Sequence, residues 1–135
     1  MSLKERCPII KFDSHVDERG KLIVIEGGQS IPFQIKRVFY MLGTDDSAVR
    51  GKHANRESEF ILINISGHCE VKVADGFEEF IVALDEPMFG IYIPKMIWKE
   101  MFNFSKDSIL LVLASTHYDN SEYIYDFLEY KKEMK

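Results

Sequence analysis

Glu59-Phe-Ile-Leu-Ile-Asn-Ile65, Ser66-Gly67, Cys69-Glu-Val-Lys-Val73, Ala74-Asp75-Gly76-Phe77 and Phe80-Ile-Val-Ala-Leu84 follow one another through the middle of the chain. Each apolar run is short, and each ends at a turn. β-Branched residues dominate, as strands require. The Asp-Gly pair between two alternating runs is a hairpin signal. Moving outward, Lys21–Glu26, Ile35–Leu42, Gly90–Ile93, Trp98–Phe104 and Ile109–Ala114 carry the same pattern. Roughly nine short strands with turn punctuation predict a barrel or a double-sheet sandwich. Only the tail reads as helix. Tyr123, Ile124, Phe127 and Leu128 fall on one helical face, with Asn120 or Ser121 as the cap.

The chain has 135 residues, 46% hydrophobic and 29% charged, which fits one ordinary globular domain over residues 1–135. A net charge of −5 argues against a general nucleic-acid binder, although a local basic patch for phosphate remains compatible with it. Cys7 and Cys69 lack metal-ligand spacing and point to a reducing compartment. No apolar run approaches the ~20 residues of a membrane span, and no signal peptide is visible. The expected location is cytoplasmic.

Arg50-Gly51-Lys52-His53-Ala54-Asn55-Arg56-Glu57-Ser58-Glu59 is the candidate site. Ligands of small barrels sit in the mouth, lined by inward side chains. Cupin barrels hold a metal there with His-x-His and a following Glu, plus a further histidine. The matching positions here read His53, Asn55, Glu59 and Lys99. An amide is a poor transition-metal ligand and a lysine brings a positive charge, so no metal is expected. A titratable histidine beside Arg50, Lys52, Arg56 and Lys99 suits proton transfer on an anionic carbonyl compound. The competing reading of the segment is a solvated loop entering a strand.

The ordered series Arg19-Gly20-Lys-Leu, Ile31-Pro-Phe33-x-Ile35-Lys-Arg37-Val-x-Tyr40, Arg50-Gly-x-His53-Ala54, Ser66-Gly-x-Cys69-x-Val71 and Leu84-Asp-x-Pro87 continues through Gly90-Ile-Tyr92-Ile93, Trp98-x-Glu100-Met101 and Leu111-Val-Leu-Ala-Ser115. With Tyr118-Asp119-x-x-x-Tyr123-Ile124, it resembles the sugar 3,4-ketoisomerases that act on dTDP-4-keto-6-deoxyglucose. The resemblance implies an all-β, cupin-type double-stranded β-helix, a jelly-roll barrel over about residues 9–118 with a short helical tail over 119–135. It implies an isomerase that moves a keto group from C4 to C3 through an enediol, by acid/base chemistry with no cofactor. The partner is a dTDP-linked keto-sugar, in a pathway toward a surface glycan. His53 is the implied catalytic histidine, and Tyr40 a pocket tyrosine. Arg50 and Lys99 are implied to bind substrate, with Arg37, Tyr92, Trp98 and Arg19; Arg19 helps choose the face of reprotonation at C4. A homodimer is implied, with N-terminal strands exchanged through Ile9–Phe12 and Leu22–Ile25.

Asn55 departs from the family pattern, which has a second histidine there. An amide cannot accept a proton near neutrality; it can orient a group or stabilise an oxygen. Either His53 performs both transfers, or another group substitutes. Two other functions stay open: a nucleotide-sugar binder that has lost the reaction, or an isomerase or epimerase of a different nucleotide keto-sugar.

Overall fold

Alternation of apolar and polar residues becomes strand after strand in the computed structural model, which describes residues 1–135. In chain order these are β1 (Ile9–Lys11), β2 (Asp13–Asp17), β3 (Gly20–Val24), β4 (Arg37–Leu42), β5 (Arg50–Asn55) and β6 (Phe60–Ser66). There follow β7 (Cys69–Ala74), β8 (Glu79–Leu84), β9 (Phe89–Ile93), β10 (Trp98–Phe102), β11 (Ile109–Ala114) and β12 (Tyr123–Ile124). Helix α1 (Leu3–Arg6) precedes them and α2 (Phe127–Glu133) closes the chain.

Two five-stranded sheets, ordered β1-β9-β6-β11-β4 and β12-β5-β10-β7-β8, form the all-β jelly-roll barrel that the resemblance implies, and β2-β3 stands apart as a hairpin. The sheets enclose one main core, in which Phe60, Leu62, Val71, Val73, Ile91, Ile93 and Leu110 pack together. Strand β6 is apolar on both faces for a physical reason. Phe60 and Leu62 face the barrel interior, whereas Ile61 and Ile63 pack with Phe12, Ile31 and Phe33 from the N-terminal segment. The turn at Asp75-Gly76 forms as its sequence requires: Gly76 has φ 93°, and Asp75 Oδ1 accepts from the Phe77 and Glu78 amides.

The competing reading of a solvated loop fails, because Arg50–Asn55 is a full strand, and one expectation is corrected. The tail is not one long helix: Asn120–Glu122 is a single 3-10 turn capped by Asp119, and Tyr123 and Ile124 pair with Asn55 and Ala54 of β5. That pairing satisfies backbone groups that β5 would otherwise expose at the sheet edge. Helix α2 starts only after Asp126, whose side chain accepts from the Glu129 amide. Its buried face is Tyr130, packed with Trp98 and Ala74, while Leu128 points to solvent. No helix is long and apolar enough to cross a membrane.

Candidate active site

A bulge in β5 builds the site. His53 pairs with Lys99 and Gly51 with Glu100, so Lys52 is an extra residue on β5. Gly51 (φ 83°) and Lys52 (φ 58°) both take left-handed backbone to accommodate it. On a regular strand, positions three apart face opposite sides. The bulge lets Arg50 and His53 line the same cavity. Gly51 is required for space as well: a Cβ there would lie 3.0 Å from the Lys99 carbonyl oxygen and 3.0 Å from Met101 Sδ.

The cavity is about 120 Å³ and opens between the two sheets. Phe39, Met41, Phe60, Leu62, Met101 and Val112 make its apolar walls, and Arg50, His53, Lys99 and Tyr123 supply its polar groups. A second cleft of about 820 Å³ lies around Gly43–Asp46, His68 and Asn103–Lys106. Of its lining groups, Asp45 accepts from Ser47, Ser105 donates to Asp107 and Asn103 donates to Glu70.

Asn55, 1% exposed, ties the polar groups together. Its Oδ1 lies 3.0 Å from His53 Nδ1 and accepts from Lys99 Nζ at 3.0 Å, while its Nδ2 donates to Glu122 Oε2 at 2.5 Å. Burial, followed by the Lys99 charge, pushes the His53 pKa down to about 3, against the opposing pull of Asn55 and Glu122. The imidazole is therefore neutral at physiological pH. Lys99 is 2% exposed, and burial pushes its pKa down to about 7 although the Glu122 charge raises it. Its Nζ also sits 4.7 Å from the Phe60 ring centre, where the π-face favours a cation. Burial raises the Glu122 carboxyl, but hydrogen bonds from Ser58, the Glu57 amide and Asn55 outweigh it and hold the group ionised.

An aromatic rim continues from the cavity. The His53 ring meets Tyr123 edge-on at 4.8 Å, and Tyr123 stacks on Tyr125 at 5.6 Å with 14° between planes. Arg37 Nη1 donates to Tyr123 Oη at 3.3 Å, and its Nε and Nη2 are buried without a partner. The guanidinium is held over Phe39, Phe60 and Tyr118.

Of the residues expected from sequence, His53, Asn55, Arg50 and Lys99 converge, with Arg37 beside them. Others do not. Tyr40 alternates with Phe39 and Met41, so it faces outward and is 61% exposed. Arg19 sits in the β2-β3 turn, where it binds Asp17 in solvent. Tyr92 faces the N-terminal cluster and donates to Glu59 at 2.5 Å, which also removes Glu59 from the site. Trp98 packs on Phe127 and Tyr130, on the face of β10 away from Lys99. Glu122, Tyr123, Phe39 and Phe60 are site residues that sequence reasoning missed. The ordered Tyr118-Asp119-x-x-x-Tyr123 match was the signal for Tyr123, masked by reading the tail as helix, and Glu122 falls on an unspecified position of it.

The sequence model described as "FdtA: WxcM-like, C-terminal" matches residues 5–135. A TDP-4-oxo-6-deoxy-alpha-D-glucose-3,4-oxoisomerase of Aneurinibacillus thermoaerophilus is 40% identical over 124 residues, 92% of this chain and 89% of that protein. The solved structure of WlaRA, a TDP-fucose-3,4-ketoisomerase from Campylobacter jejuni, is 43% identical with a TM-score of 0.91 over 96% of each chain. A mutant of the 3,4-ketoisomerase QdtA from Thermoanaerobacterium thermosaccharolyticum, solved in complex with TDP-4-keto-6-deoxyglucose, is 36% identical. Its TM-score is 0.94, covering 99% of this chain and 96% of that one.

Proposed function

The chain belongs to the WxcM-like, C-terminal (FdtA) family, and from that premise we propose that it is a 3,4-ketoisomerase of TDP-4-keto-6-deoxyglucose. The observation that carries the reading is Asn55 Oδ1 holding both a neutral imidazole and a buried lysine at one cavity. A C3 proton is acidic only because the C4 carbonyl can take the developing charge. The reaction therefore needs a base and an electrophile side by side.

His53 takes the C3 proton, the C–H electrons form the C3=C4 bond, and the C4 oxygen takes a proton from the Lys99 ammonium. An enediol results. The Lys99 amine then removes the proton of the C3 hydroxyl, the C3 carbonyl forms, and the double-bond electrons take the imidazolium proton at C4. Both residues return to their starting states, and no electron leaves the substrate. Burial serves each role: it keeps His53 unprotonated and makes Lys99 ready to release its proton near neutrality. Arg50, exposed at the cavity wall, meets the diphosphate, whereas the Arg37 guanidinium stays buried among Phe39, Phe60 and Tyr118. The chemistry of the donor set fits no divalent cation, because Glu122, the nearby carboxylate, is spent on Asn55, Ser58 and two backbone amides.

The same reading extends to a homodimer through the N-terminal hairpin, with the expectation for Ile9–Phe12 corrected: β1 pairs with β9 of its own chain and Phe12 packs in its own core. Val38, Tyr40 and Leu42 expose an apolar outer face on β4, Val16 and Leu22 are exposed on the free hairpin, and Ile23, Ile25, Ile63, Ile65 and Leu111 line a groove beside it. A second copy there would cover Tyr40. Sedimentation as a monomer overturns this part.

Incubation with TDP-4-keto-6-deoxyglucose in D2O, followed by NMR, tests the function. Conversion to the 3-keto isomer with deuterium at C3 or C4 is expected. Neither conversion nor exchange at high protein concentration overturns it.

A further inference from the structure

We propose that Glu122 is a positioning residue, whose carboxylate turns the Asn55 amide so that His53 keeps its proton on Nδ1 and presents a bare Nε2 to the substrate. This deepens the isomerase reading and rests on His53 being the base. The inference starts from donor and acceptor types. A carboxylate only accepts and an ammonium only donates. Asn55 bonds to one of each, so its Nδ2 must face Glu122 and its Oδ1 must face Lys99. The same Oδ1 lies 3.0 Å from His53 Nδ1. An acceptor there requires Nδ1–H, and a neutral ring then carries no proton on Nε2.

Glu122 itself is clamped. Oε1 accepts from the Glu57 amide at 2.8 Å and the Ser58 amide at 3.1 Å. Oε2 accepts from Ser58 Oγ at 2.6 Å and from Asn55. The Ser58 hydroxyl also meets Thr116 Oγ1 at 2.5 Å. These partners come from the strand junction before β6 and from the segment after β11, so the fold on both sides fixes the carboxylate. The charged groups acting on His53 are Lys99 from β10, Arg37 from β4 and Glu122 from the 3-10 turn, with the uncharged Tyr123 and Tyr125 rings against it. Among them only Glu122 reaches His53 through the Asn55 amide nitrogen.

A glutamine at this position separates geometry from charge. Its oxygen is claimed by the two backbone amides, so its NH2 faces the Asn55 NH2. Asn55 then flips, Lys99, no longer held charged by the carboxylate, gives up its proton and accepts from Asn55 Nδ2, and a donor faces His53 Nδ1, which must become an acceptor. The proton moves to Nε2, where the base is needed bare. Exchanging the acid and the amide, with Asn55→Asp and Glu122→Gln together, restores the pattern: the glutamine donates, and the carboxylate introduced at position 55 accepts from both His53 and Lys99.

The test is two-bond 1H–15N NMR of the histidine rings in the labelled full chain, with His53→Gln to assign the signal, alongside kcat, KM and the pH profile. Wild type should show Nδ1–H and bare Nε2. Glu122→Gln should invert the tautomer and lower kcat by about 10²-fold or more, with KM changed little. The double variant should restore the tautomer, with a pH profile moved upward by the new carboxylate. Nε2–H in wild type, an unchanged tautomer in folded Glu122→Gln, or a folded double variant that does not recover it, each overturns the proposal. A wild type with Nδ1–H but no turnover leaves the tautomer assignment standing and removes the isomerase reading instead.

Discussion

Lys99→Met should make the protein more stable and less active. Burial pushes the Lys99 pKa from 10.5 to about 7. A difference of that size corresponds to about 5 kcal/mol against the charged form, taken as an upper bound. The opposing Glu122 charge is already included in that balance, whereas the Asn55 hydrogen bond and the Phe60 ring lower the penalty further. Methionine removes the ionic penalty and keeps an unbranched apolar stem, at a repacking cost of about 1–2 kcal/mol. Asn55 Oδ1 retains His53 as a partner, so no buried acceptor is orphaned. The net gain at pH 6 should be on the order of 3 kcal/mol, raising Tm by roughly 10 °C for a domain of this size. Between pH 7 and 10.5 the unfolded wild type binds more protons at this lysine than the folded one. Wild-type stability therefore rises with pH across that window, and the advantage of the variant shrinks. Thermal melts of both proteins from pH 6 to 10 measure this directly. A variant that melts at or below wild type at pH 6, or a gap flat with pH, refutes the reasoning. Isomerase rate should fall by roughly 10²–10³, because the developing C4 oxyanion loses its cation.

His53 gives the opposite end of the pH range. Its folded pKa of about 3 lies below the ordinary 6.5, so the unfolded chain takes the proton first and stability falls as pH drops from 6.5 toward 3; urea midpoints of His53→Gln should show a shallower acid slope than wild type. Asn55→Ala removes the shared acceptor from Lys99 and His53 and a donor from Glu122. It should cost about 3 kcal/mol or more by denaturant titration, with kcat down at least about 10²-fold. Gly51→Ala places a Cβ at φ 83° and 3.0 Å from backbone oxygen. A loss of about 1–3 kcal/mol is expected, and an unchanged Tm would show that the bulge relaxes freely.

Much of the fold was legible because strand patterning is local. The runs at Glu59–Ile65, Cys69–Val73 and Ile109–Ala114 form strands, and Asp75-Gly76 turns between two of them. The tail misled for a long-range reason. Tyr123 and Ile124 suit a helical face, but the unpaired edge of β5 offers them backbone partners, and pairing wins over a periodicity only two turns long. Tyr40, Tyr92 and Trp98 show the complementary failure. Their place in a recurring series gave residue type, yet the face each one uses follows from strand parity. Tyr40 lies between the inward Phe39 and Met41, and Trp98 precedes the inward Lys99.

The site was half legible for a related reason. His53, Arg50 and Lys99 could be placed by order along the chain, although the bulge that lets Arg50 and His53 share a cavity involves Gly51 and Lys52, a pair that reads as ordinary loop. Asn55 was read as a loss, since an amide cannot replace a histidine as a base. The geometry gives it another role. A second imidazole at this point would add one more group whose charge changes with pH beside a buried lysine. An amide keeps its charge state, and its two ends differ, so a carboxylate on one side and an ammonium on the other fix its orientation without ambiguity. What the substitution removes in proton-accepting capacity it returns as a fixed acceptor for the remaining histidine. In the proposed mechanism a single base serves both carbons only if its lone pair stays aimed between them, and the bonds that hold Asn55 would supply that aim.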